Sequence, residues 1–151
     1  MIREIITYIT NTGILNTSSL GMYKDISCLE REDVQKTIKD LVETAQWFEK
    51  KCVGLSANQI NEFQPIFVFK VGKIFVPVIN PKVVAISREV ASGPEGCLSL
   101  PGIRPKKIRR HKWITLKYYD DLTKSEITRK FKGFEARIIQ HEMDHIRGIL
   151  V

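Results

Sequence analysis

The sequence predicts an α+β fold, with largely antiparallel strands packed around a central helix near the C-terminus. Apolar residues recur at helical spacing over residues 34–48, and a second helical segment covers residues 140–148. Between them lie short runs rich in Val, Ile, Phe and Tyr, separated by Gly and Pro as strands usually are. Because strands and helices do not alternate along the chain, segregated layers are favoured over a parallel, doubly wound sheet.

Length and composition indicate one domain, residues 1–151, with a core of its own. Of the 151 residues, 43% are hydrophobic and 27% are charged. The chain has no apolar run as long as a membrane span and no secretory signal at its start, so we expect a soluble cytoplasmic monomer without a membrane partner. Three cysteines, Cys28, Cys52 and Cys97, are too few for a disulfide framework, which fits a reducing compartment.

The first part of the chain is expected to form an arm and then a helix. Residues 1–26 are mixed in character and predict an extended arm. Ser27 and Glu30 have the spacing of a capping box, so the helix is expected to begin there and to end near Lys51. The small residues of segment 54–60 break this helix and let the backbone approach another group closely, although an ordinary turn explains the segment equally well.

Runs of β-branched and aromatic residues predict the strands. In chain order the predicted strands are 66–69, 74–79, 83–90, 113–119 and 127–131. Gly72, Pro77 and Pro81 interrupt the first three runs. The last two are predicted to form a hairpin around the polar turn 120–123, which favours antiparallel pairing.

The C-terminal helix carries His141, Glu142 and His145 in the pattern His-Glu-x-x-His. With about 3.6 residues per turn, the two histidines lie one turn apart on one face, so both rings can reach one metal ion. Glu142 lies beside such an ion, where it can take a proton from a water that the ion activates. The alternative is a helix that carries these residues without any ligand.

Two imidazoles leave the third metal ligand open, and Cys97 is the candidate for it. Gly96 precedes this cysteine, and Pro101 holds the following chain extended. Taken alone, such a cysteine is more often a small buried residue than a ligand. It becomes the candidate because His141 and His145 need a third partner.

Three segments together resemble the signature motifs of the peptide deformylase family, in the family's order and at similar separations. They are Gly54-Leu55-Ser56-Ala57-Asn58-Gln59, Glu95-Gly96-Cys97-Leu98-Ser99 and Gln140-His141-Glu142-Met143-Asp144-His145. The likeness covers about residues 27–151 and departs from the family at Cys52 and Ser56, where Gly and Ala are usual. Because the chain ends three residues after Gly148, it resembles short, phage-encoded members that lack the C-terminal extension.

The resemblance implies a hydrolase of the bacterial cytoplasm that removes the N-formyl group from the formyl-methionine of nascent polypeptides and releases formate. It implies one divalent metal ion held by Cys97, His141 and His145, with Fe(II) favoured over Zn(II), Ni(II) or Co(II). Glu142 is implied as the base, with the Gln59 side chain and the Leu98 amide as oxyanion donors. The implied substrate-binding residues are Val53, Gly54, Glu95, Gly96, Arg104, Phe134 and Ile138.

Two other functions remain open from the sequence. A His-Glu-x-x-His metallopeptidase would take its third ligand downstream, but none of the six residues after His145 is His, Glu, Asp or Cys. A weak or inactive deformylase-like protein that binds ribosomes would be expected to have lost a ligand or Glu142, and the sequence keeps all of them.

The basic run at residues 104–112 and the net charge of +7 indicate an anionic partner. We expect a weak, salt-sensitive ribosome contact through this run, with an ordinary solvated surface as the alternative. Changing Lys106, Lys107, Arg109 and Arg110 to Ala is expected to weaken that contact and to leave peptide turnover almost unchanged.

Overall fold

A computed structural model describes residues 1–7 and 31–150. These residues form two α-helices, seven strands and one 3₁₀ helix, and none of the described helices is long and apolar enough to cross a membrane. In chain order the elements are α1 (Glu32–Trp47), β1 (Gly54–Ser56), the 3₁₀ helix η1 (Ala57–Ile60), β2 (Ile66–Val71), β3 (Ile74–Ile86), β4 (Val90–Glu95), β5 (Lys106–His111), β6 (Trp113–Asp120), β7 (Ser125–Lys132) and α2 (Gly133–Ile146).

The strands pair antiparallel throughout the described residues, which confirms the predicted α+β class. A five-stranded sheet has the order β1-β2-β3-β6-β7, and β4 and β5 form a separate pair. The predicted hairpin is confirmed as β6 and β7, with Ile114 opposite Phe131. Lys124, at the end of the turn between them, has a left-handed backbone with φ 53°.

The strand boundaries differ from the prediction in β3, β4 and β5. Residues 74–79 and 83–90 were predicted as separate strands, but β3 runs through Pro81 to Ile86. Asn80 takes a left-handed conformation with φ 54°, and an irregularity in the register with β6 accommodates the proline. Strands β4 and β5 were not predicted, because β4 contains Gly and Pro and β5 is mostly charged.

Helix α1 is shorter than predicted, since it begins at Glu32 and ends at Trp47 rather than near Lys51. The predicted capping box at Ser27 and Glu30 lies outside the described residues, as does most of the predicted arm. Of the arm, residues 1–7 run beside the 3₁₀ helix, where the Ile6 N–H donates to the Gln59 carbonyl over 2.8 Å.

The five-stranded sheet lies between the two helices and has a hydrophobic core on each face. Ile66 and Val68 of β2 pack with α1, whereas Phe67 and Phe69 pack with α2. This alternation explains the continuous apolar run at residues 66–69, because both faces of the strand are buried. Helix α2 is thereby fixed against the sheet, with its histidines near β1 and the end of β4.

Candidate metal centre and active-site cleft

Cys97, His141 and His145 converge where α2 meets the loop after β4. Their ligand atoms all lie within 4.8 Å of one another, and Cys97 Sγ is 3.2 Å from His145 Nε2. The two imidazole rings meet edge to face with their centroids 4.4 Å apart, as expected for one helical turn. The fold thus brings together the three residues that the sequence proposes as ligands.

Both histidines are oriented by hydrogen bonds at Nδ1. His141 Nδ1 is 2.9 Å from Glu95 Oε1, and His145 Nδ1 is 3.0 Å from the carbonyl oxygen of Ile149. Gly148, with φ 80°, turns the chain after α2 so that this carbonyl faces back toward the ring. In a neutral ring these bonds place the proton on Nδ1 and leave the Nε2 lone pair for an ion. One sulfur and two nitrogen donors in this arrangement fit a divalent transition metal.

The surroundings of the two histidines shift their pKa values in opposite directions. Burial lowers the pKa of His145 to about 3. Burial also lowers the pKa of His141, but its hydrogen bonds with Cys97 and Glu95 outweigh that effect and raise the pKa to about 10. A proton and a metal ion therefore compete for His141.

Glu95 is the centre of an ion-pair network behind His141. Its carboxylate contacts Arg110 Nη2 at 2.8 Å and Arg137 Nη1 at 2.7 Å, in addition to His141. Burial acts to raise the pKa of Glu95. The hydrogen bonds from His141 and Arg110 outweigh this effect and lower the pKa to about 2. Arg110 also pairs with Asp144 on α2, so the network connects β4, β5 and the helix.

This network changes two expectations drawn from the sequence. Glu95 is predicted to bind substrate, and the structure adds a second task, because its carboxylate is paired with nitrogen atoms of Arg110, Arg137 and His141 and orients a candidate ligand. Arg110 was grouped with the exposed cations of the basic run, yet its side chain is only 10% exposed. We therefore expect its replacement to disturb the site, so that the four-residue change is no longer expected to leave turnover almost unchanged.

Glu142 is buried between the two histidines and next to β1. Ser56 Oγ donates to Glu142 Oε2 over 2.8 Å. Burial raises the pKa of Glu142 to about 7, although the nearby His141 acts to lower it. The other oxygen, Oε1, lies against Gly54, where an added Cβ would be 2.6 Å away from it. A carboxylate with a pKa near neutrality is suited to accept a proton and return it.

Gln59 reaches the candidate ligand Cys97 from the 3₁₀ helix. Its Nε2 is 3.4 Å from Cys97 Sγ and 3.1 Å from Ser99 Oγ. Its Oε1 accepts the main-chain N–H of Ser56 over 3.0 Å, which fixes the end of the amide that faces the cysteine. Leu98 follows Cys97 directly and lines the same cleft. Both proposed oxyanion donors thus lie beside the candidate metal centre.

A cleft of about 120 Å³ opens beside the three candidate ligands. Ile138 is buried at its wall, whereas Val53 and Phe134 are 41% and 64% exposed. Of the residues proposed for substrate binding, the cleft includes Val53, Gly54, Glu95, Gly96, Phe134 and Ile138. Arg104 is the exception, since it is exposed and lines a small neighbouring pocket with Ile103 and Lys106.

Several residues of the site were not assigned a role from the sequence. Arg137 and Arg110 hold Glu95, the Ile149 carbonyl holds His145, and Ser56 holds Glu142. Ser56 and Gln59 do have the Ser-x-x-Gln spacing of a capping box, which predicts their mutual hydrogen bonds. The contacts of Arg110 and Arg137 join parts of the chain that are distant in sequence, so no local sequence pattern predicts them.

Comparisons with known proteins point to one family. A sequence model described as Polypeptide deformylase matches residues 3–151. The peptide deformylase of Clostridium beijerinckii is 39% identical over 135 residues, which cover 85% of this chain and 96% of that protein. The Thermotoga maritima peptide deformylase is 40% identical over 121 residues, which cover 80% of this chain and 71% of that protein. Its crystal structure matches with a TM-score of 0.84 at 32% identity, covering 99% of this chain and 95% of that one.

Proposed function

Because the chain belongs to the peptide deformylase family, we propose that it removes the formyl group from N-terminal formyl-methionine at the site of Cys97, His141 and His145. The observation that carries this assignment is the convergence of these three side chains within 4.8 Å, with Glu142 buried beside them. The products are formate and a peptide with a free N-terminal amine.

The proposed mechanism assigns separate tasks to Glu142, Gln59 and Leu98. When bound, a divalent ion lowers the pKa of water and polarises the formyl carbonyl. Glu142 takes the proton of the attacking water and delivers it to the amide nitrogen, which departs as the new N-terminus. Gln59 Nε2 and the Leu98 N–H donate to the oxygen that gains charge, an interaction typically worth about 3 kcal/mol per donor.

Substrate binding is proposed along two strand edges that border the cleft. In the described residues β1 is an edge of the large sheet, and β4 pairs with β5 alone. An extended peptide can hydrogen-bond to such edges through its main chain, which makes binding largely independent of sequence. Val53, Phe134 and Ile138 offer apolar surface for the methionine side chain. This arrangement suits an enzyme that must process many different nascent chains.

Formate release from a formyl-Met tripeptide tests this function directly. We expect formate from the formyl peptide and acetate release from its acetyl-Met counterpart that is roughly 10- to 200-fold slower, because a site that fits a formyl group must accommodate an extra methyl group. Cleavage of an internal peptide bond instead would favour a metallopeptidase. Absence of any product with every divalent ion tried would favour a non-catalytic relative.

Fe(II) is proposed as the native ion. One thiolate and two imidazoles accept several divalent metals, so the ligands alone do not choose among them, and the family resemblance favours iron. Protein prepared without oxygen is expected to be most active with Fe(II) or Ni(II). The Fe(II) form is expected to lose activity in air, because the ion and the Cys97 thiolate are both oxidisable. Full, air-stable activity with zinc alone would contradict this assignment.

Gly54→Ala is expected to lower kcat/KM for the formyl peptide by about 100-fold. The added Cβ would lie 2.6 Å from Glu142 Oε1 and 2.9 Å from Ile138 Cγ2, so either the proposed base or the cleft wall must move. Gly72→Ala is the matched control, since nothing lies within 4 Å of its added Cβ and its φ of 61° costs only stability. Similar kinetic losses in both variants would refute this interpretation of Gly54.

A weak ribosome contact is proposed through the exposed part of the basic run. Replacing Lys106, Lys107 and Arg109 by Ala, with Arg110 retained, is expected to weaken co-sedimentation with ribosomes. The effect should be largest at low salt, because each neutralised phosphate releases a counterion. A control variant with Lys39, Lys73 and Lys82 changed to Ala removes the same charge elsewhere. Equal weakening by both variants, or no binding at low salt, would exclude this surface.

A further inference from the structure

Ser56 contacts both of the side chains that the proposed mechanism uses for proton transfer and oxyanion binding. It is fully buried at the end of β1. Its hydroxyl donates to Glu142 Oε2 over 2.8 Å and accepts the main-chain N–H of Gln59. Its own main-chain N–H donates to Gln59 Oε1 over 3.0 Å. One residue thus connects the β1 strand, the 3₁₀ helix and α2 at the active site.

The direction of these hydrogen bonds is fixed by the number of protons available. A serine hydroxyl has one proton and two lone pairs. Because Ser56 Oγ accepts the Gln59 N–H, and because its distance to Glu142 Oε2 is 2.8 Å against 3.3 Å to Gln59 Oε1, the proton is directed to Glu142. A carboxylate accepts this charge-assisted bond strongly.

The bond from Ser56 makes the two oxygens of Glu142 unequal. Oε2 is held by the hydroxyl, so the plane and rotation of the carboxylate are set. Oε1 is then directed to Gly54, which lines the cleft together with Glu142. We propose that Ser56, which stands where Ala is usual in the family, is a positioning residue particular to this chain, whose hydroxyl holds Glu142 so that Oε1 faces the attacking water and the departing amine. This role depends on the proposed function of Glu142 as the base.

Mutation separates the hydroxyl contacts of Ser56 from its main-chain contact. Ser56→Ala removes the hydroxyl, and with it the bond to Glu142 and the acceptor for the Gln59 main-chain N–H, but it keeps the Ser56 N–H that orients the Gln59 amide. The variant therefore loosens Glu142 while leaving the side-chain amide of Gln59 directed to Cys97. Ser56→Thr keeps a hydroxyl at the same position and is the conservative variant that should restore the contact.

Steady-state kinetics of Ser56→Ala with a formyl-Met peptide test this role. We expect kcat to fall by about 10-fold or more, as misplacement of a reacting group predicts, with KM and metal content unchanged. The visible absorption of the Co(II)-loaded protein should also remain unchanged, because the proposed ligands are not touched. Ser56→Thr should recover most of the lost kcat.

Ser87→Ala is the matched control for loss of a buried hydroxyl. Ser87 Oγ donates to the Glu89 carbonyl over 2.6 Å and has no contact with the cleft. Its replacement is expected to affect stability and to leave kcat unchanged. The role of Ser56 would be overturned if the kcat of Ser56→Ala stayed within about twofold of the parent value. It would also be overturned if the loss of kcat followed a loss of metal, or if Ser87→Ala lost as much kcat as Ser56→Ala does. Glu142→Gln separates this outcome from a wrong assignment of the base. If Glu142 is not the base, the Glu142→Gln variant remains active.

Discussion

Glu142→Gln is expected to lower kcat for a formyl-Met peptide by about 10²- to 10⁴-fold while the protein keeps its metal ion. Gln has the shape of Glu and can still accept the hydrogen bond from Ser56, but its amide cannot take a proton from water. Because Glu142 is not one of the three proposed ligands, metal content should stay at that of the parent. Formate release and metal analysis on the same preparation measure both quantities.

The stability of the metal-free protein gives an independent control for this variant. The pKa of Glu142 is raised to about 7 in the folded protein, chiefly by burial, from an ordinary value of 4.5. The folded state therefore binds this proton more tightly, so the contribution of Glu142 to stability decreases as the pH rises from about 4.5 to 7. Glu142→Gln should remove that decrease. A variant with near-parental kcat, or one that loses its metal, would contradict the assignment of Glu142 as the base.

Cys97→Ala is expected to lose both the metal ion and turnover. The change leaves two imidazoles, which hold a divalent ion far more weakly than three protein ligands do. Removal of the thiolate also removes the negative charge that binds the ion most strongly. The expected loss of kcat/KM is about 10³-fold or more, comparable to removal of the proposed base. Metal content after gel filtration and formate release are the two readouts.

Cys52→Ala is the matched control for metal content. Cys52 is a buried thiol near the same cleft, and it donates to the Gly54 carbonyl over 3.2 Å. Burial raises the pKa of Cys52 to about 12, so it remains a thiol and is a poor ligand. Its replacement should therefore retain the ion. Equal loss of metal from Cys52→Ala and Cys97→Ala would argue against a specific role for Cys97.

The sequence predicts the chemistry of α2 because that chemistry is local. His141 and His145 are one helical turn apart whatever the rest of the chain does, and Glu142 lies between them. The apolar stripe of α1 and the β6–β7 hairpin are local patterns of the same kind. These elements could be predicted from periodicity and turn residues alone.

The remaining parts of the site depend on contacts between distant segments. Cys97 follows β4, which pairs with β5, and neither strand has the alternating apolar pattern of a predicted strand. The need of the two histidines for a third ligand made this cysteine a candidate, and the family resemblance then implied its role; its spacing along the chain alone did not link it to the histidines. The role of Glu95 also required tertiary information, because its three partners lie 15, 42 and 46 residues away.

The most direct test of the proposed centre is a metal titration of the chelated, oxygen-free protein, followed by formate release from a formyl-Met peptide. Three ligands from one chain predict no activity before metal is added, followed by a linear rise that ends at one equivalent of Fe(II) per chain. The same titration of Cys97→Ala should remain flat. Undiminished formate release from the fully chelated protein, or an equal response of parent and Cys97→Ala, would contradict a catalytic metal held by Cys97, His141 and His145.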